Sequence, residues 1–246
     1  MKNRLVIEGV ADTRSLLEDL VVASDGLEQF LEGLVGAAAA CFADDGADTL
    51  TSITLLRPRR PVTITGSSSA ARHLAGLQYR FDNGPCMQAA SSGRMVVVTD
   101  FASDGGFPLY GSAALRSGVR SALGVPIQLN GPEQAAITYS SSRPRAFSEG
   151  RVRAVAVFAE EASRPLKLAL RVARLTEKTE NLTAAMESRT TIDLAAGVIM
   201  AQNRCSQHEA IEILRAASSA SNIKLRDLAQ NVLSRIVDAP VTTHFD

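Results

Sequence analysis

Between Arg189 and Val232 the chain carries three short amphipathic helical patterns in too few residues to enclose a pocket. The first runs from Arg189 to Met200 (RTTIDLAAGVIM). After a polar break the second covers Glu209–Arg215, and the third closes over Asn222–Ala229. Ile192, Ala195, Ile199, Ile211, Leu214, Leu225, Leu228 and Val232 recur at helical spacing and predict a three-helix core. Ser206 and Glu209 have the S-x-x-E spacing that fixes where the second helix starts. Ala195 and Gly197 predict close helix packing. So compact an all-helical unit leaves little room for a catalytic cleft and suits a surface presented to a partner.

The stretch before it constrains assembly. Leu168, Leu175 and Leu182 recur every seven residues, with Val172, Thr179 and Met186 at the complementary offset. About three heptads of this kind form the seam of a parallel coiled-coil homodimer, weakened at Thr179. Ser148 caps a helix from Glu149 through Ala162, and Pro165 either kinks that helix or begins a new one.

Upstream the hydrophobic period alternates between helix and strand. Thr13–Val22 reads as a short helix. Asp25 and Glu28 form a capping box opening a second helix through Phe42, which Asp44-Asp45-Gly46 ends. Thr49–Leu56 and Val62–Thr65 alternate around a Pro-rich turn and predict a hairpin. A helix over Ser69–Leu77 breaks at Phe81-Asp82-Asn83-Gly84-Pro85, which is turn chemistry. A helix from Cys86, a strand over Met95–Thr99, a loop to Pro108 and a helix over Leu109–Ser117 follow. Val119 to Leu129 alternates as a long strand, with Pro126 implying an edge or a bulge. Asn130-Gly131 then turns the chain into Ala135–Ser140.

Composition excludes several classes. Lys plus Arg and Asp plus Glu both number 26, so the formal charge is zero and the whole molecule has no long-range pull toward nucleic acid or an anionic membrane. No apolar run reaches the roughly 18 residues of a membrane span, and the N-terminal residues lack a signal-peptide core. Cys41, Cys86 and Cys205 are too widely spread for a disulfide framework or a metal site, which fits a cytoplasmic protein. His73, His208 and His244 have no ligand spacing, so no metal is expected. A haem on His73 is less economical than a structural histidine there. No Gly-rich phosphate loop or Ser-His-Asp arrangement is present, and neither a catalytic residue nor a cofactor is expected.

The middle of the chain resembles a GAF domain of actinobacterial regulators. The residues that carry the likeness are Leu77-Gln78-Tyr79, Asp82 through Ala89, Val96 through Phe101, Gly118 through Pro126, Tyr139-Ser140-Ser141 and Pro144 through Phe147. The C-terminal segment resembles an ANTAR domain, the RNA-binding module of transcription antiterminators. There the matching residues are Arg189, Ile192, Asp193, Ala195, Gly197, Met200, Glu209, Ala210, Leu214, Arg215, Ser218, Asn222, Lys224, Leu225, Arg226, Asp227 and Ala229. The chain departs from these patterns at Phe107, where such GAF domains carry tryptophan, and at Ala135-Ala136-Ile137. In the ANTAR part Ala196 replaces a common lysine, and Ala201-Gln202 replaces a charged pair.

The resemblance implies an α+β GAF domain, an antiparallel sheet flanked by helices, joined by a coiled-coil helix to an all-α three-helix ANTAR domain. The expected boundaries are 1–24 for an N-terminal helical segment, 25–163 for the sensor, 164–188 for the linker helix, 189–238 for the RNA-binding domain and 239–246 for a frayed tail. It also implies RNA hairpins, gripped in pairs by a homodimer, as partners. Arg189, Asn222, Lys224 and Arg226 are then the leading RNA contacts, with Gln202 and Arg204 behind them. The residues alone favour a charge-balanced solvated surface, because Asp193, Glu209, Glu212, Asp227, Asp238 and Asp246 oppose the cations. A regulator acting only through protein contacts also stays open.

Phe81, Cys86, Phe101, Phe107 and Tyr110 gather where GAF domains hold small molecules, and form either a ligand pocket or a collapsed core. Cys86 follows Gly-Pro at a helix start, where the helix dipole can activate a thiol. Some GAF proteins are free methionine sulfoxide reductases, so an enzyme using Cys86 is the competing reading. The other is a cysteine that behaves as a small hydrophobe.

Overall fold

The computed structural model describes residues 10–42 and 49–235. In chain order they form α1 (Val10–Ala23), α2 (Leu27–Ala40), β1 (Leu50–Leu56), β2 (Thr63–Gly66), α3 (Ser69–Phe81), α4 (Pro85–Ser92) and β3 (Val96–Val98). There follow α5 (Pro108–Arg116), β4 (Ser121–Ile127), β5 (Gln134–Ser141), α6 (Glu149–Asn203), α7 (Gln207–Ser221) and α8 (Leu225–Ser234). The expectations for Asp44-Asp45-Gly46, Asp238 and the Ala239–Asp246 tail fall outside the described residues. The chain divides into two compact units between Ala173 and Arg174.

In the first unit the strands form one antiparallel sheet in the order β2-β1-β5-β4-β3. Period-2 alternation sends Ile53, Leu55, Leu123, Val125, Ile127, Ile137 and Tyr139 to one face, where α2 and the first part of α6 bury them. Tyr139 donates its hydroxyl to the Ala38 carbonyl at 3.3 Å, and its ring stands 4.6 Å from Phe42, which ties α2 to the sheet. The other face is covered by α3, α4 and α5. With both faces covered, β1, β4 and β5 are buried almost without a break.

Three local expectations change. Asp25 and Glu28 form no capping box. Gly26 precedes α2, and the Asp25 amide donates to Gln29 Oε1 at 2.6 Å, so the residue four along closes the first turn. Pro126 lies on neither an edge strand nor a bulge. Its strand β4 is flanked by β5 and β3, but the β3 ladder ends at the Val96–Gly124 pair, so Pro126 has a partner (Ala136) on one side only. The missing proline N–H therefore costs the sheet no ladder bond.

Pro165 does not begin a new helix, for α6 runs through it over 55 residues. Proline inside a helix costs about 3 kcal/mol. Its neighbours Ala162, Leu166, Ala169 and Leu170 are buried in the core. At about 1.5–3 kcal/mol for one buried leucine, that packing offsets the penalty.

The second unit is built by the last part of α6 with α7 and α8. Ala195, Ala196, Ile199, Ala210, Leu214, Ala229 and Leu233 form its buried core, with Ile192, Ile211, Leu225, Leu228 and Val232 packed around it. Ser206 Oγ accepts from the Glu209 amide at 3.3 Å while Glu209 Oε2 accepts from the Ser206 amide at 2.8 Å, so the capping box is complete. The Ser206 amide, with the Ser206 hydroxyl donating to the same oxygen at 2.7 Å, holds the Glu209 carboxyl below the usual range. Two small residues sit differently from expectation. Ala196 is fully buried, so a lysine there would enter the core rather than the surface. Gly197 is exposed, and a Cβ on it would meet open space, so it is not a helix-packing glycine.

Candidate functional site

All six candidate RNA-contact residues are exposed in the second unit. Four of them gather at one end. The α7–α8 turn is built tightly: Asn222 takes the left-handed conformation (φ 54°), the Ile223 amide donates to the Ser218 carbonyl at 3.2 Å, and Ser218 Oγ donates to the Ile223 carbonyl at 2.6 Å. Lys224 is the N-cap residue of α8. Arg226, two residues on, lies 3.6 Å from Glu187 of α6, which brings the α8 start beside the α6 turn carrying Arg189. Gln202 lies at the far end of that α6 segment, about 20 Å away at 1.5 Å rise per residue, and Arg204 lies in the turn just past it. They do not join the cluster.

The cations of the cluster already face carboxylates. Arg226 pairs with Glu187, and Arg189 with Asp193 at 3.8 Å. Exposed pairs of this kind are worth about 0–1 kcal/mol, so a phosphate can replace the carboxylate at little cost. Sequence reasoning missed Ile223, an exposed apolar side chain between Asn222 and Lys224, and Glu187. No Phe, Tyr or Trp occurs between Asn181 and Arg235, so base stacking at this cluster would fall to guanidinium planes and to Ile223.

The heptad residues form an exposed stripe on α6. Leu168, Val172, Leu175, Leu182 and Met186 are each half or more exposed. Thr179 lies among them with its hydroxyl bonded to the Leu175 carbonyl at 3.1 Å, which leaves its methyl group to the seam.

In the first unit Phe101 and Tyr110 are buried edge to face, 5.6 Å apart, and Phe81 and Phe107 pack against the same cluster. Cys86 lies in a separate small cluster with Ala89 and Ala136. Its thiol is fully buried, directed at the Ala136 carbonyl 3.9 Å away, and burial pushes its pKa up. That is the opposite of the helix-start activation the sequence allowed. Cys41, whose pKa burial pushes up to about 11, packs against the cluster on the other face of the sheet, so the two thiols cannot meet. Native protein is therefore expected to leave Cys86 unmodified by iodoacetamide while urea-unfolded protein exposes it. Peptide mass mapping reads the difference, and rapid native alkylation of Cys86 would contradict the structure.

The loop after β3 is clamped electrostatically. Arg120 donates to both oxygens of Asp100, at 2.9 and 2.6 Å, and the Ala102 amide donates to Asp100 Oδ1 at 3.0 Å. The guanidinium foremost, with that amide, pulls the Asp100 carboxyl down to about 2. An unfolded aspartate titrates near ~3.9. A folded-state pKa below the unfolded one gives stability that is present above the unfolded value and lost as pH falls through the folded one. Asp100→Asn is accordingly expected to lower Tm at pH 7, with the gap to wild type closing between about pH 4 and pH 2. A gap independent of pH would show that the clamp acts through shape alone.

Among the described residues, no group of three or more His, Cys, Asp or Glu side chains could hold a metal ion, and no helix is long and apolar enough to cross a membrane.

Comparison with known proteins places both units. Residues 21–166 match the GAF domain and residues 180–233 the ANTAR domain. No curated protein matches the chain. Among solved structures, the GAF domain of an Acinetobacter phosphoenolpyruvate-protein phosphotransferase is 18% identical, covering 71% of this chain and 99% of its own, with a TM-score of 0.46. A LuxR family transcription factor of Burkholderia cenocepacia, dependent on N-acylhomoserine lactone, is 16% identical, with coverage of 66% and 98% and a TM-score of 0.48. Free methionine-R-sulfoxide reductase from Neisseria meningitidis is 19% identical, with coverage of 66% and 93% and a TM-score of 0.45. A sensor-type α+β domain followed by a small helical output domain defines a regulator of signal transduction and transcription. The chain belongs to the GAF domain family and has the architecture of a GAF–ANTAR regulator.

Proposed function

We propose that the protein is a cytoplasmic, dimeric, signal-responsive regulator that binds paired hairpins in nascent transcripts and so prevents a terminator from forming. The observation that carries this reading is the exposed cluster of Arg189, Asn222, Lys224 and Arg226, held by the Ser218 turn and the Arg226–Glu187 contact on the ANTAR unit. Residues 25–163 act as sensor, 164–188 as linker helix and 189–238 as RNA-binding domain. The continuous α6 gives a signal a path along one helix, whose heptad stripe lets two copies change spacing or register. The neutral overall charge suits recognition of short loops by a few hydrogen bonds, since bulk attraction to phosphate is small.

A thiol reductase reading gains no support from Cys86, which is buried with a raised pKa and out of reach of Cys41.

Asn222→Gly separates structure from recognition. Glycine accepts the left-handed turn, so Tm is expected to stay within a degree or two of wild type, while the side-chain amide is lost. Ultraviolet crosslinking of full-length protein to total RNA is expected to fall several-fold in Asn222→Gly and about tenfold in Lys224→Ala with Arg226→Ala, the size of effect that loss of charge-assisted hydrogen bonds produces. Equal crosslinking by wild type and both variants would leave this surface to protein contacts alone.

A further inference from the structure

The sheet face under α3, α4 and α5 is polar at its centre. Ser52 and Thr54 of β1 and Thr138 and Ser140 of β5 point into it, and all four are more than nine-tenths buried. Gln78 of α3 and Tyr110 of α5, equally buried, meet them from above. The register pairs Ser52 with Thr138 and Thr54 with Ala136, so Thr54 and Thr138 are diagonal neighbours, both beside the Cys86 thiol. Gln78 Oε1 accepts from the Cys86 amide at 2.7 Å, which fixes the carboxamide. The Tyr110 hydroxyl lies beside Ser140 and Gln78.

These groups are neighbours, yet they do not satisfy one another. Thr54 Oγ1, Thr138 Oγ1, Gln78 Nε2 and Tyr110 OH make no hydrogen bond of proper geometry to any protein group. Most buried hydroxyls elsewhere find carbonyls: Ser121 reaches Arg143 at 2.6 Å, Ser163 reaches Gln128, and Tyr139 reaches Ala38, while Thr51 Oγ1 on the opposite face stands alone. Folded proteins leave only a few buried polar groups unmade per hundred residues, so four gathered in a single neighbourhood mark a place where something else supplies the partners.

We propose that this interior binds a small uncharged molecule carrying both hydrogen-bond donors and carbonyl acceptors. The three hydroxyls can donate or accept and Gln78 Nε2 donates, so the set matches a ligand of mixed polarity. Among the described residues no Asp, Glu, Lys, Arg or His is buried, so a charged ligand would lose its hydration with nothing to compensate it. A surface cavity of about 490 Å³, lined by Leu50, Ser69, Ala70, His73, Leu74 and Ser117, opens at the end of the polar row, because Leu50 pairs with Ser140. The inference rests on the sensor reading of the GAF domain and names the chemistry it senses.

The test labels the threonine methyl groups of the full-length protein with ¹³C and titrates it with uracil, with orotate (the same ring bearing a carboxylate) and with benzene. Uracil is expected to move the Thr54 and Thr138 methyl resonances saturably, while orotate and benzene leave them in place. Thr138→Val, or Thr54→Val if the first fails to fold, is expected to weaken uracil binding tenfold or more and to raise the Tm of the free protein, since it removes an unpaired hydroxyl. Resonances that ignore uracil, orotate binding as tight as uracil binding, or a valine variant that loses Tm and binds uracil normally would overturn the proposal. The last result would assign the hydroxyls to a bridged structural network. Uracil binding that leaves RNA crosslinking unchanged would retain the ligand site and overturn the sensor reading instead.

Discussion

Leu175→Asp combined with Leu182→Asp is expected to turn the proposed dimer into a monomer at micromolar concentration and to weaken binding to a transcript with two hairpins at least a hundredfold. Both side chains are more than half exposed in the single chain, within an apolar stripe that also includes Leu168, Val172 and Met186. Each chain would bury five such side chains in a parallel dimer. Full burial of a leucine or valine is worth about 1.5–3 kcal/mol, so even partial burial holds two copies together. Two aspartates per chain would place four carboxylates in the seam, where they repel one another and lose hydration.

The loss of RNA affinity follows from linkage of two sites. When one ANTAR unit holds its hairpin, a tethered partner meets the second at an effective concentration near the millimolar range, which raises overall affinity by about 10² to 10⁴. A monomer forfeits that factor while keeping its single-hairpin affinity. Leu175 and Leu182 contribute little to either buried core, so any fall in Tm should be the concentration-dependent part that dimerisation supplies. Sedimentation equilibrium reads the assembly state. A wild-type protein that is monomeric at micromolar concentration would contradict the mechanism outright.

Gly124→Ala is expected to destabilise the GAF unit by about 3 kcal/mol, at the upper end of ordinary overpacking. A Cβ at this position would stand 2.3 Å from the Pro85 carbonyl oxygen and 2.7 Å from its carbon, with the Ala89 methyl at 3.2 Å. Neither side can easily give way. Gly124 is paired on both sides of its strand, to Val96 and Thr138, and the α4 start is held by the bond from the Cys86 amide to Gln78. A domain with about 5–15 kcal/mol of stability keeps little margin after such a loss. Urea unfolding followed by circular dichroism measures it, and an unchanged midpoint would show that α4 lifts from the sheet freely.

How far the fold could be read in advance depended on which residues carry a directional signal. The β-branched runs around Pro58 and Pro61 announced the β1–β2 hairpin, and Ser206 with Glu209 announced the start of α7, because both patterns act locally. Small residues carry no such direction. Nothing at Ala196 or Gly197 shows which of two adjacent positions faces the core, and only packing with α7 and α8 decides that the alanine is buried and the glycine exposed. At Asp25 two acceptors, Glu28 and Gln29, competed for one turn, and spacing alone favoured the wrong one.

The sensor interior was hidden for a different reason. Ser52, Thr54, Thr138 and Ser140 alternate with Ile53, Leu55, Ile137 and Tyr139, and that alternation reads as a sheet with one wet face. The covering helices α3, α4 and α5 lie elsewhere in the sequence, so the burial of the hydroxyl face is a tertiary fact. The proposed RNA cluster was partly legible. Asn222, Lys224 and Arg226 are close in sequence, whereas their approach to Arg189 depends on α7 carrying the chain back along α6 to Glu187. Gln202 and Arg204 follow closely on the first helix pattern, yet they sit at the opposite end of it from Arg189.

The RNA crosslinked to the full-length protein in its own cells, isolated and sequenced, tests the central claim most directly. Enrichment of transcripts carrying two neighbouring hairpins next to a terminator, lost in Leu175→Asp with Leu182→Asp, is the expected result. A bound fraction no richer in such hairpins than that of a chain lacking residues 180–233 would contradict it.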